Sequence, residues 1–141
     1  MLTTTTAPAV PGVKQGRTRA LCVAGGALAA VLAWIVEVPL LGIHLNFRFG
    51  TGHIQTISAG QVIGVTVVAS LLGWLLLTLL ERRTLHAQPL WMTIALVALA
   101  VSLALPLAAG TTTSAAVGLV VMHLTVGAAV IPAMAHTAQA R

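Results

Sequence analysis

The sequence predicts an all-α membrane protein, a bundle of four transmembrane helices with a small extracytoplasmic β-hairpin between helices 1 and 2. Three observations predict it. The 141 residues are 58% hydrophobic and only 6% charged, with a mean hydropathy of +1.02. A soluble domain carries about 25% charged residues, so most of this chain cannot face water. The stretch from Val62 to Leu80 passes without a charge before Glu81-Arg82-Arg83 ends it. At about 1.5 Å per residue it covers roughly 28 Å, close to the hydrocarbon thickness of a bilayer. Finally, the basic residues flank apolar runs and form no patch on a polar domain, which sets aside the nucleic-acid partner that a formal charge of +5 would otherwise suggest.

Residues 1–16 hold Thr, Pro, Ala and Gly with one Lys, nothing that can bury a core, and read as a disordered cytoplasmic tail. The membrane domain covers 17–136, with spans at about 20–41, 61–80, 90–109 and 115–135. The first span follows the basic cluster Lys14, Arg17 and Arg19. It is too long for a signal-peptide core of about 7–15 residues, no Ala-x-Ala site follows it, and three more apolar runs come after. It therefore stays in the mature chain. Cys22 precedes its apolar core, which argues against a lipoprotein signal, and as the single cysteine it excludes an internal disulfide and any multi-cysteine metal site.

Between the first two spans Ile43, Leu45, Phe47 and Phe49 alternate with His44, Asn46 and Arg48, the period of a strand with one apolar face. Gly50-Thr51-Gly52 suits a tight turn, and His53–Ser58 offers a second strand. A hairpin over 43–58 is expected; an irregular loop is the alternative. A lone hairpin is marginal in water, so its apolar face should rest on the bundle or the lipid interface. The second span closes in a polar turn, Glu81 to Pro89, and Pro89 suits the start of the third helix. Trp91 reads as an interface anchor and Pro106 as a kink or stop. Gly110 to Ser114 is an uncharged loop, Pro132 lies near the end of the fourth span, and 137–141 is a cytoplasmic tail.

An even number of spans gathers Lys14, Arg17, Arg19, Arg82, Arg83 and Arg141 on one side, six of the seven basic residues, and leaves Arg48 opposite. By the positive-inside rule Lys14, Arg17, Arg19, Arg82 and Arg83 are the topology determinants. They place both termini in the cytoplasm and the hairpin outside.

Glu81-Arg82-Arg83, Trp91, Ser102-Leu-Ala-Leu-Pro106-Leu, Thr111-Thr-Thr and Met122-His123-Leu, with Val38-Pro39-Leu-Leu-Gly42 ending the first span, resemble a family of small actinobacterial four-helix integral membrane proteins of unknown function. The resemblance covers about 17–136. It implies a multi-pass protein of the bacterial inner (plasma) membrane with four spans, and it brings no catalytic residue, ligand or partner. Glu37 is not part of it.

Few groups could carry chemistry. His123 lies roughly 12 Å into the fourth span by helical rise, a depth at which ionisable groups face the bundle interior or a wet cavity. It is a candidate proton-accepting or ligand-binding group; the plainer reading is one interhelical hydrogen bond. Glu37, the only acid within a span, lies about 6 Å from the outer end of the first. It could pair with Arg48 or His123, or snorkel to the interface. Ser102 and Thr125 complete a candidate polar intramembrane site with His123 and Glu37. His44 and His53 on facing strands fall short of the three or four ligands a metal wants, so no metal is assigned. His86 and His136 sit in a loop and a tail. His123 and His136 are about 20 Å apart by rise, too far to share a haem, and no cofactor is assigned. Gly26/Ala30, Gly60/Gly64, Ala69/Gly73 and Ala100/Ala104 have the spacing of helix-packing pairs.

No phosphate loop, His-Glu-x-x-His or nucleophile elbow appears, and there are only two carboxylates, so an enzyme is not expected. Two readings remain. One is a non-enzymatic accessory or partner-binding bundle, its partners the lipid bilayer and either a second copy or another membrane protein. The other is a small transporter or ligand-binding bundle using His123. The discriminator is whether His123 lines a cavity with Ser102 and Thr125 or packs dry on a single carbonyl.

Overall fold

The computed structural model describes residues 11–48, 52–109 and 111–138. Helix α1 (Pro11–Ile35) continues into a π-helical turn (Val36–Leu40). A ladder of β1 (Asn46–Phe47) and β2 (Gln55–Thr56) follows, then α2 (Ala59–Arg83), α3 (Ala87–Ser102), the short α4 (Ala104–Ala109) and α5 (Thr113–Ala135). Lys14–Leu40, Ala59–Arg83, Ala87–Ala108 and Thr113–Ala135 are each long and apolar enough to cross a membrane. The chain is a multi-pass membrane protein.

Local chemistry sets the ends of these helices. α1 opens on Pro11, whose fixed φ suits a first helical position. It takes in residues 11–16, which the sequence assigned to a disordered tail; the side chain of Gln15 anchors that turn by donating to Thr137 O at 3.1 Å. Residues 1–10 lie outside the described part. At the other end Pro39 cannot donate to Ile35 O and its ring crowds that carbonyl, and the helix widens there, with Leu41 N bonding Val36 O at 3.0 Å. Gly42, at φ 66°, turns the chain out of the helix. α2 starts on a capping box in which Ser58 Oγ accepts from Gln61 N and the Gln61 side chain accepts from Ser58 N. The third span breaks at Leu103, because Pro106 has no N–H for Ser102 O.

α1 lies against α2 and α5, and α3 closes the ring against α5 and α2, while α2 and α5 hardly touch. Two apolar clusters stack along this ring. One, at the end bearing Arg82 and Arg83 (the basic end), joins Val23, Leu77, Trp91, Ile131 and Met134. The other, at the end bearing residues 41–58 (the loop end), joins Ala30, Leu45, Val62, Leu119 and Met122.

The expected hairpin over 43–58 shrinks to two register pairs, Asn46↔Thr56 and Phe47↔Gln55. Two competing demands shorten it. Asn46 N bonds His44 O at 2.8 Å, a tight turn that bends β1, and Asn46 O accepts from both Thr111 N and Thr111 Oγ1. Leu45 is fully buried in the loop-end cluster, so its segment serves the bundle before it serves a sheet. Phe49, Gly50 and Thr51 fall outside the described residues. Trp91 is not an interface anchor. It is 2% exposed, and its indole N–H donates to Gly73 O at 2.9 Å. A Cβ at Gly73 would lie 3.6 Å from Trp91 Cζ2, ordinary contact, so the ring packs directly on this turn of α2.

Of the expected small-residue pairs, Gly26/Ala30 is buried at the α1 interfaces, while Gly60 and Gly64 are exposed. A Cβ on Gly26 would collide with Val130 Cγ2. We expect Gly26→Ala to lower stability by about 2 kcal/mol in reversible unfolding from detergent micelles. Gly64→Ala, with nothing within 4 Å of the new methyl, should cost nothing and gain slightly from helix propensity.

Candidate functional site

α2 and α3 meet at the basic end through Trp91 and Gly73 and leave between them, backed by α5, a cavity of about 780 Å³. Small-molecule pockets run to about 300–1,000 Å³. Its walls are mostly apolar. The polar side chains on them are Gln61, Thr66 and Ser70 of α2, Ser102 of α3 and His123 of α5. Val65, Leu72 and Leu105 also line it and are 70%, 61% and 56% exposed, so its mouth lies along the flank of the bundle. None of the lining residues is Asp, Glu, Lys or Arg.

His123 is half-buried, and its Nδ1–H donates to Leu119 O, one turn back on its own helix, at 2.7 Å. Ser102 Oγ donates to Leu99 O at 2.7 Å. Both groups are thus oriented by their own backbone at the cavity wall. Thr125 is exposed on another face of α5, its hydroxyl donating to Val121 O at 2.8 Å, and it does not line the cavity. Glu37 is elsewhere again. It is 4% exposed in the π-helical turn, neither carboxylate oxygen has a hydrogen-bond partner, and Oε2 lies against Gly118 of α5. Neither Arg48, which is exposed, nor His123 reaches it. Five residues separate Gly118 from His123, a rotation of about 140° around α5, so the two ionisable side chains face different neighbours. The structure brings together His123 and Ser102 and leaves Glu37 and Thr125 apart.

The sequence reading missed Gln61, Thr66 and Ser70. Their signal was present, since Thr66 and Ser70 are one helical turn apart in an otherwise apolar run, and both are buried. His44 and His53 are exposed, and among the described residues no three His, Cys, Asp or Glu side chains gather.

Of the topology determinants, Lys14, Arg17, Arg82 and Arg83 are exposed at the basic end. Arg19 is not; it is 3% exposed. Its Nη2 meets Glu81 Oε1 at 2.6 Å and Thr137 O at 3.2 Å, Nη1 donates to Thr78 Oγ1, and Nε donates to Thr137 Oγ1. Gln15 donates to both Glu81 Oε1 and Thr137 O. The spacing that could have revealed this node is Gln15/Arg19 on one helix and Thr78/Glu81 on the next, each pair on one face.

The fold and groove define a class, the small four-span helical membrane bundle with a side-opening, largely apolar cavity. Within that class the chain belongs to a family of unknown function, DUF6069, which it matches over residues 11–140. No curated protein and no solved structure matches it.

Removing one partner of a buried ion pair costs about 3–5 kcal/mol. Arg19→Ala is therefore expected to lower unfolding stability in micelles by about 3 kcal/mol. Arg19→Lys should fall between it and the parent, because one ammonium cannot serve acceptors on α2 and the C-terminal segment with a planar fork.

Proposed function

We propose that this chain is a non-enzymatic multi-pass protein of a bacterial, and by resemblance actinobacterial, cell membrane, with both termini cytoplasmic, that binds an apolar ligand in the groove between α2, α3 and α5. The observation that carries this is the shared cavity of His123 and Ser102, of about 780 Å³, within an otherwise largely apolar wall. An accessory role has less behind it. The apolar loop residues Ile43, Leu45 and Ile57 pack on the bundle itself, which leaves Leu41 and Ile54 as the exposed large apolar side chains among the described loop residues.

Two experiments test the reading. Trp91 lines the groove, so in nanodiscs a tail-brominated alkyl probe should quench its fluorescence saturably in a variant carrying Trp34→Phe and Trp74→Phe. Ala98→Phe, which fills the groove from an exposed position on its wall, should abolish the saturable part. Quenching that grows linearly with probe and ignores Ala98→Phe would favour the accessory role. For threading, Cys22→Ser provides a background free of thiols. There a membrane-impermeant maleimide should label His53→Cys in intact cells, and Arg83→Cys only after permeabilisation.

A further inference from the structure

The groove also constrains what it can hold. We infer that its ligand is an uncharged lipid alcohol of the surrounding bilayer, an apolar chain ending in a hydroxyl that donates to His123 Nε2. This rests on the groove being a binding site and adds the chemistry of its occupant.

The hydrogen-bond polarity comes from His123. A backbone carbonyl can only accept, so the ring nitrogen that meets Leu119 O at 2.7 Å carries the proton. In a neutral imidazole the other nitrogen is then a bare acceptor. Nε2 has no hydrogen-bond partner among the described residues, and His123 lines the cavity. A ligand that pairs with it brings an O–H or N–H. A carbonyl or ether oxygen in the same place would set acceptor against acceptor.

Charge narrows the class further. No ionisable side chain other than His123 lines the groove, so a phosphate, carboxylate or ammonium drawn inside would lose its hydration without a counter-charge. The placement of polarity then orients the ligand. Gln61 lies in the first turn of α2 and Ser102 ends α3, both at the loop end. His123 stands about 15 Å into α5 by rise. Thr66 and Ser70 of α2 lie at heights up to that of His123; beyond them, toward the basic end, the wall with Leu76, Trp91 and Ile131 is apolar, and the indole N–H there is committed to Gly73 O. The polar end of the ligand belongs with Gln61, Thr66, Ser70, Ser102 and His123, and the chain runs toward Trp91. The mouth sets the source. Val65, Leu72 and Leu105 open it along the flank that faces hydrocarbon, so the ligand arrives sideways from the lipid.

The test uses two probes with the same tail-brominated chain, a long-chain alcohol and its methyl ether, titrated into the intact protein in nanodiscs with Trp91 quenching as readout. The alcohol should bind about fivefold more tightly than the ether, the scale of one hydrogen bond within a membrane. His123→Leu should bring the two together. Because that variant risks misfolding, the ¹⁵N signals of His123 are followed in the parent, where the proton should sit on Nδ1 and only the alcohol should shift Nε2. Equal binding of alcohol and ether, both blocked by Ala98→Phe, would overturn the hydroxyl assignment while leaving the groove as a binding site. A proton found on Nε2 would overturn it equally. Absence of saturable quenching by either probe would overturn the assignment and the binding reading together.

Discussion

The architecture hangs on a guanidinium taken out of water. Arg19 offers five N–H donors and nothing that accepts, and at 3% exposure it cannot leave them to solvent. It makes four hydrogen bonds, to the hydroxyl of Thr78, the carboxylate of Glu81 and both oxygens of Thr137. Those groups belong to α2 and to the segment after α5. One side chain of α1 thereby fixes the separation of three membrane segments at the basic end. Replacing the node by apolar side chains of the same volume could match its stability. What the ion pair adds is position, because its acceptors lie in set directions. With that end fixed, α1 becomes the helix against which α2 and α5 both rest, and these two need not meet.

A bilayer obliges every polar group to find its partner within the protein. Several here find it one turn back on their own helix. Thr78 bonds Trp74 O, Thr93 bonds Pro89 O, His123 bonds Leu119 O and Thr125 bonds Val121 O. Such self-satisfied residues can face lipid, as Thr125 does, or a cavity, as His123 does, at similar cost. A polar residue in an apolar run therefore announces nothing about direction. Glu37 departs from the rule, since both its oxygens lack a partner. It stands where Pro39 has already opened the helix into a wider turn, and where Gly118 lets it lie against α5.

The four apolar spans were legible because the length and hydropathy of a run suffice to mark it. Val62 to Leu80 had to be a span, and the charged triplet had to end it. What composition cannot carry is rotation. α2 and α5 are apolar on every side, so no stripe of hydrophobicity marks the face that meets a neighbour. Gly60 and Gly64 have the spacing of a helix-packing pair but are exposed, whereas Gly118 and Gly127, nine residues apart, take Leu45 and Leu99 against their backbones. Long-range partners were hidden for another reason. Arg19 and Glu81 are 62 residues apart and each reads locally as a flank charge. The hairpin misled because alternation reports one apolar face without saying what covers it. Here Leu45 enters the bundle and Asn46 O is taken by Thr111, so strand pairing receives what is left.

These constraints also decide how a groove in the flank of such a bundle can discriminate. The side chains at its mouth, Val65, Leu72 and Leu105, are apolar and exposed, and lipid tails are just as apolar, so moving a chain from a bilayer into such a groove would gain little from the hydrophobic effect. Shape and a few hydrogen bonds must supply the difference. Ser102 has its hydroxyl proton committed to Leu99 O, and Trp91 has its N–H committed to Gly73 O. His123 has its Nδ1 proton committed as well, but the same bond leaves Nε2 with a lone pair that nothing on the helix can use. In water such an acceptor would be met by solvent and would discriminate weakly. Beside hydrocarbon such an acceptor has no competitor for a donor, so the backbone bond that fixes the ring also fixes which kind of partner Nε2 can take.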